Sequence, residues 1–220
     1  FSGGANFENI WLNRFKDSNP NIFFVDTSKG IKKSMIEKHE HKDKKEHGHK
    51  DHDKHDEHEG LDPHIWLDPI LVKTQAKNIL DAIVQVDNIN REFYYENYKK
   101  FLLELDELHL ALTNNLKEVK GKKFMVFHPS WGYFATRYDL IQEAVEKEGK
   151  DPKPKEIISL INEAKEEGIK IVFIAPQFSK KSAEIIANGI KGKVAVINPL
   201  DENWAKSLIH TSEEIVKSYK

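Results

Sequence analysis

Histidine is the residue through which this chain is most able to do chemistry. Seven histidines fall between Glu37 and Gly60: His39, His41, His47, His49, His52, His55 and His58. They alternate with Lys, Asp and Glu and include no aromatic partner, so the segment has nothing to bury and reads as a low-complexity loop. Neutral imidazole is a ligand for zinc and other transition ions. Closely spaced imidazoles and carboxylates on a loop offer many low-specificity capture sites. Directly after the tract stands Asp62-Pro63-His64-Ile65-Trp66-Leu67-Asp68-Pro69, which is not repetitive at all. Its two prolines stiffen the backbone around one histidine. A ligating histidine donates its other ring N–H to a carboxylate or carbonyl, and either Asp62 or Asp68 is placed to accept it.

A second isolated histidine, His128, follows the apolar run Phe124–Phe127 and precedes Pro129-Ser130-Trp131-Gly132. The carboxyl end of a parallel strand is where ligands bind in open α/β sheets. Each of these histidines also has a plain reading, as a ring satisfied inside a turn. Two of them at loop positions in different halves favour a shared cleft. His109, beside the apolar stripe of a long helix, and His210, within the last helix, read as core-edge residues.

Several classes of function are excluded. There is no cysteine, which removes thiolate zinc sites, iron–sulfur sites and disulfide frameworks. The net charge of −2 carries no basic excess for nucleic acid. No apolar run approaches the length of a membrane span. The sequence holds no HExxH, GxSxG, P-loop or GxGxxG, and no base is marked beside a zinc ligand, so the chain is read as a non-enzyme.

The elements that must hold the two histidines follow from periodicity. Phe7, Ile10, Trp11 and Phe15 predict an amphipathic first helix, ended by Asn19-Pro20. Asn21–Asp26 predicts a short buried strand. Asp68 as N-cap and Pro69 at the first helical position open a helix that runs through Leu71, Ile79, Leu80, Ile83 and Val84. After a break near Asp87, one stripe (Tyr98, Phe101, Leu102, Leu105, Leu108, Leu112, Leu116, Val119) predicts a helix from Arg91 to Val119, roughly 43 Å long at about 1.5 Å per residue. Strands at 123–127, 171–175 and 194–197 alternate with helices at 154–167, 179–190 and 202–219, which implies right-handed crossovers and a parallel sheet. The expected fold is therefore α/β, with two lobes joined by one long rigid helix: an N-terminal lobe over 1–90 that includes the loop 37–60, the linking helix 91–119, and a C-terminal lobe over 120–220. The opening Phe1-Ser2-Gly3-Gly4 reads as a strand end entering a turn, so a preceding segment is expected and the first lobe is taken as incomplete.

The series DPHIWLDP, a long helix, FHPSWGYFA, EGKDPKPKEIISLINEAKEEGIKIVFIAPQF and VINPL resembles the zinc-type (ZnuA-like) solute-binding proteins of ABC importers, in the cluster A-I family, over essentially the whole chain. The resemblance implies metal at the interface of two α/β lobes, with His64 and His128 as ligands and a further histidine from a segment upstream of Phe1. At the last ligand position members often carry Asp before Pro-Leu. This chain has Asn198-Pro199-Leu200, with Asp201 following, so Asp201 or Asn198 is an additional candidate contact beside water or a loop histidine. Imidazole at position 128 favours Zn²⁺ over Mn²⁺, which takes oxygen ligands.

The function so implied is high-affinity capture of Zn²⁺ and its delivery to an ABC-type membrane permease. The protein would be a monomer that is periplasmic or extracytoplasmic and membrane-anchored. A zinc buffer or chaperone acting through the His tract, and a zinc hydrolase on the same scaffold, are the competing expectations. Zinc held by histidine binds more weakly as pH falls, because a protonated ring has no lone pair to give.

Overall fold

The computed structural model describes residues 1–5, 8–36, 60–146 and 149–219. The expectation for the histidine tract (His39 to His58) and the part of the first helix's pattern that rests on Phe7 lie outside the described residues. Its longest element is the predicted helix, here α3 (Arg91–Leu116), which continues as a 3-10 turn through Val119. Leu105, Leu108, Leu112 and Leu116 recur at three and four residues and are buried. The earlier members Tyr98, Phe101 and Leu102 are half-buried. The stripe has two partners. Its first part lies against α2 (Pro69–Val86) and its second against α7 (Trp204–Lys217).

Beyond α3 the chain builds a four-stranded parallel sheet. The strands are β1 (Lys123–Val126), β2 (Ile141–Ala144), β3 (Ile171–Ile174) and β4 (Lys193–Val196), in the order β2-β1-β3-β4. The intervening helices are α4 (Gly132–Arg137), α5 (Pro154–Glu166) and α6 (Lys181–Gly189). Successive strand residues point to opposite faces. Phe124, Val126, Ile171 and Phe173 join Leu112, Leu208 and Ile215 on the α3–α7 side. Met125, Phe127, Val172 and Ile174 meet Leu160, Ala164 and Ile186 of α5 and α6 on the other. Each such side chain taken fully from water contributes roughly 1.5–3 kcal/mol. The α/β class, the parallel sheet and the long helix are as predicted.

One local expectation fails and one strand was not foreseen, both for identifiable reasons. The segment Asn21–Asp26 is not a buried strand. Ser2 N donates to Val25 O and Thr27 N to Ser2 O, which makes a single parallel bridge between Ser2 and Asp26, and Ile22 and Phe23 stay 39% and 51% exposed. A run of apolar residues becomes a strand only where neighbours take up its backbone groups, and one bridge does not. Conversely β2 reads Ile-Gln-Glu-Ala and carries no apolar pattern, yet Gln142 and Glu143 are buried. Its burial is made possible by polar partners: Gln142 Oε1 accepts the Trp131 N–H at 2.6 Å, and Lys123 Nζ lies 3.7 Å from Glu143. The first helix, α1 (Glu8–Ser18), forms as predicted, but Ile10, Trp11 and Phe15 along it are exposed. No helix among the described residues is long and apolar enough to cross a membrane.

Lys123 anchors the amino end of the sheet. Its ammonium lies 2.9 Å from Glu163 and 3.3 Å from Glu167 as well as near Glu143, and the bond to Glu163 is the main cause of a pKa well above the ordinary lysine value. A raised lysine value stabilises the fold fully below 10.5 and loses that contribution only as pH climbs through the raised value. Lys123→Met is therefore expected to cost about 1–3 kcal/mol at neutral pH, because buried Glu143 loses its cation. Urea denaturation checks this, and the gap from wild type should hold from neutral pH up to the ordinary lysine value.

Candidate metal centre

His64 sits at the end of a tightly constrained loop. Asp62 N donates to Ser34 O at 2.8 Å, Met35 bridges Leu61 in antiparallel fashion, and the Tyr133 hydroxyl donates to Asp62 O at 3.0 Å while accepting the Ser34 N–H. The Asp62 carboxylate, itself buried, then takes two bonds from His64: the backbone N–H at 2.9 Å and ring Nδ1 at 2.7 Å. Gly132, which opens α4, leaves room for this carboxylate, since a Cβ there would stand 2.9 Å from Asp62 Oδ2. Of the two carboxylates offered by the motif, Asp62 is the one that orients the ring. Asp68 does a different job. It caps α2 through Ile70 N at 2.8 Å and pairs with Arg137, whose Nε lies 3.0 and 2.9 Å from its two oxygens.

His128 lies just past β1, where a strand end in a parallel sheet is expected to present a ligand. Its Nδ1 is 2.5 Å from Glu146 Oε1. Glu146 is delivered by sheet register: β2 runs beside β1, Val145 N donates to Val126 O and Glu146 N to Phe127 O, so the carboxylate arrives next to His128. The two histidines are thus built alike. Their side chains are 14% and 31% exposed, while the carboxylates behind them are only 4% and 5% exposed. Each ring also rests on an aromatic side chain, His64 on Trp66 at 5.2 Å and His128 on Phe178 at 5.0 Å.

An ionised carboxylate only accepts hydrogen bonds, so each ring offers Nδ1–H to its carboxylate, and in the neutral form of the ring Nε2 has a lone pair to give. The ring centres of His64 and His128 are 5.6 Å apart, with planes at 76°. Two imidazoles that meet one tetrahedral ion through Nε2 at about 2.0–2.1 Å have centres roughly 5–5.5 Å apart. The centre spacing of the pair is of the size that one small cation between the rings would need.

The other candidates have local hydrogen-bond partners. Asn198 and Asp201 occupy the loop after β4, where Asn198 Oδ1 accepts from Leu200 N and Asp201 Oδ1 from Asn203 N. Among the described residues no third His, Cys, Asp or Glu is grouped with His64 and His128 as a metal-holding cluster. His109 is a core-edge residue as expected, with Nδ1 3.2 Å from the Tyr138 hydroxyl. His210 departs from the same expectation and is exposed on α7. Glu146 was not foreseen, because it follows the one strand whose sequence is polar. Phe178 and Tyr133 carry no sequence signal that singles them out from core residues.

Comparison with known proteins shows the family of the chain. The family model for the periplasmic component A of zinc-uptake complexes (ZnuA) matches residues 1–218. The high-affinity zinc uptake system protein ZnuA of Bacillus subtilis (strain 168) is 33% identical over 134 residues, which is 60% of this chain and 42% of that protein. The zinc-binding protein AdcA of Streptococcus pyogenes serotype M1 is 31% identical over 130 residues, 58% of this chain and 25% of that one. The chain thus spans less than half the length of these curated relatives. Among solved structures, a crystal structure of ZnuA superposes with a TM-score of 0.86 at 36% identity, covering 99% of this chain and 78% of that one. A ZnuA deletion mutant with zinc bound gives 0.84 at 36% identity, covering 98% and 76%. With its fold, its motif order and nearly its whole length matched, the chain belongs to the ZnuA family of zinc-uptake components.

Proposed function

We propose that this protein is a zinc receptor: it captures Zn²⁺ outside the cytoplasm and passes it to an ABC-type permease, without catalysing a reaction. The observation that carries this reading is the pair His64 and His128, 5.6 Å apart, each with Nδ1 bonded to its own buried carboxylate. Family membership supports it, as do relatives named for high-affinity zinc uptake and for zinc binding.

In this reading His64 and His128 are zinc ligands through Nε2, and Asp62 and Glu146 fix their rings and raise their basicity. Further contacts come from outside this pair, and Asp201 or Asn198 are candidates. Imidazole selects zinc over manganese, whose preference is for oxygen. The chain divides into an N-terminal lobe (1–90), the linking helix (91–119) and a C-terminal lobe (120–220), with the ion between the lobes. The receptor is a membrane-anchored monomer, and the histidine tract supplies weak collecting sites rather than the tight one.

Competitive titration against a strong chelator tests this, in protein that carries these residues in their natural sequence context but lacks 37–59. One tight zinc site is expected. His64→Ala or His128→Ala should each weaken it by more than about a hundredfold, beyond the 10–100-fold typical of losing an outer partner. Retention of tight binding in both variants contradicts the reading, and tight binding that returns only with 37–59 moves the function to the tract. A separate expectation concerns the carboxylates. Glu146→Ala leaves His128 in place but frees its ring, and should weaken zinc by about 10–100-fold. Isothermal titration of the variant, with circular dichroism to show the fold is kept, checks it.

A further inference from the structure

His64 is carried into the site by a 3-10 turn of only three residues, Ile65–Leu67. One turn of this kind has no length with which to fix its own orientation. Here it is tied to the far end of the chain. Trp66 Nε1 donates to Pro199 O at 2.8 Å, and Trp204 Nε1 donates to Trp66 O at 2.9 Å. Each indole thus bonds to the backbone of the other's segment, and the two bonds close a reciprocal clasp between residues 66 and 199–204.

The receiving loop is itself firm. Asn198 Oδ1 accepts from Leu200 N at 3.1 Å, Asp201 Oδ1 from Asn203 N at 2.8 Å, and Ser207 Oγ donates to Asn198 O at 2.9 Å. The Pro199 carbonyl is therefore offered from a fixed turn.

Both indoles pack against the core that includes Leu67, Leu112 and Leu208, and their N–H groups add a direction to that packing. Trp66 and Trp204 wall an apolar cavity of about 520 Å³ that opens between α2 and α3 beside Ala76, Leu80 and Phe101. On the cavity side an indole meets few neighbours, so its N–H bond helps to fix the ring's rotation. The Trp66 ring in turn lies 5.2 Å from the His64 ring, with planes at 59°. Asp62 holds the Nδ1 edge of His64 and Trp66 makes a tilted ring contact with it, so the imidazole has two separate neighbours that limit its rotation.

We infer that Trp66 and Trp204 are positioning residues for the zinc site: their reciprocal indole–carbonyl bonds fix the His64 ring and thereby set how slowly the ion leaves. This rests on the reading of His64 and His128 as zinc ligands. It gives the 198–204 loop a role through its backbone.

Trp66→Phe keeps a ring against His64 but removes the donor to Pro199 O. Trp204→Phe removes the other bond from the opposite side. In the full chain each is expected to weaken zinc about three- to tenfold, as loss of one partly buried hydrogen bond should, and to do so through faster dissociation in a stopped-flow chelator chase. Because both bonds serve one clasp, the double variant should fall short of the product of the singles. Trp11→Phe, on exposed α1, should leave affinity unchanged.

Co²⁺ in place of zinc supplies the readout that a merely structural role would not move. Its visible ligand-field bands should broaden and weaken in the folded variants, as the ligand geometry loosens. Unchanged dissociation rates and an unchanged Co²⁺ spectrum overturn the inference. So does weaker binding that only tracks a lower melting temperature of the metal-free protein. If His64→Ala itself binds like wild type, the zinc-site reading falls together with this inference, and that result is recognisable without the Trp variants.

Discussion

The bond between a histidine Nδ1 and a buried carboxylate is the constraint on which the rest of this site depends. A free imidazole turns about two side-chain torsions and exchanges its proton between two nitrogens. A single small ion is held tightly only if both freedoms are removed beforehand. Burying a carboxylate for this purpose is costly unless its oxygens are bonded. Asp62 meets that requirement with the backbone and ring of His64. Glu146 meets it with His128, and only because β1 and β2 are adjacent and in register. The parallel sheet, the short α4 with its glycine start and the Ser34–Tyr133 contacts are in this sense supports for two oxygen–nitrogen bonds.

The division of labour within DPHIWLDP shows how little of such a motif is redundant. Asp62 orients the histidine, and Pro63 precedes it. Trp66 reaches to Pro199, Asp68 caps α2 and holds Arg137, and Pro69 starts the helix that packs on α3. Both acidic residues are buried and both are committed, but to different partners. A segment of eight residues thereby bonds to the loop before it, to α4 and to the loop after β4. His64 is consequently held against the same part of the molecule that carries His128, and the pair is preorganised as a unit.

What was legible in the sequence was whatever depends on local periodicity or local capping. The Asp68–Pro69 helix start, the stripe of α3 and the three apolar strands needed no tertiary information, and both central histidines were visible from their flanking prolines and strand. What escaped was set by partners distant in the chain. The strand β2 is polar because Gln142 bonds to Trp131 and Glu143 neighbours Lys123, and missing it meant missing Glu146. Asn21–Asp26 had the composition of a strand without the neighbours of one. The Trp66–Trp204 clasp joins residues more than a hundred positions apart, and nothing in the spacing of either tryptophan announces it.

The central claim is that one zinc ion is shared by the Nε2 atoms of His64 and His128 while their Nδ1 atoms stay protonated against Asp62 and Glu146. Long-range ¹H–¹⁵N correlation of the histidine rings, with and without one equivalent of Zn²⁺, observes those nitrogens individually. The account requires the Nε2 resonances of His64 and His128 to move to metal-bound values while both Nδ1 resonances keep the signature of a proton. Zinc-dependent shifts confined to the histidines between 39 and 58, with the rings of His64 and His128 unmoved, would contradict it.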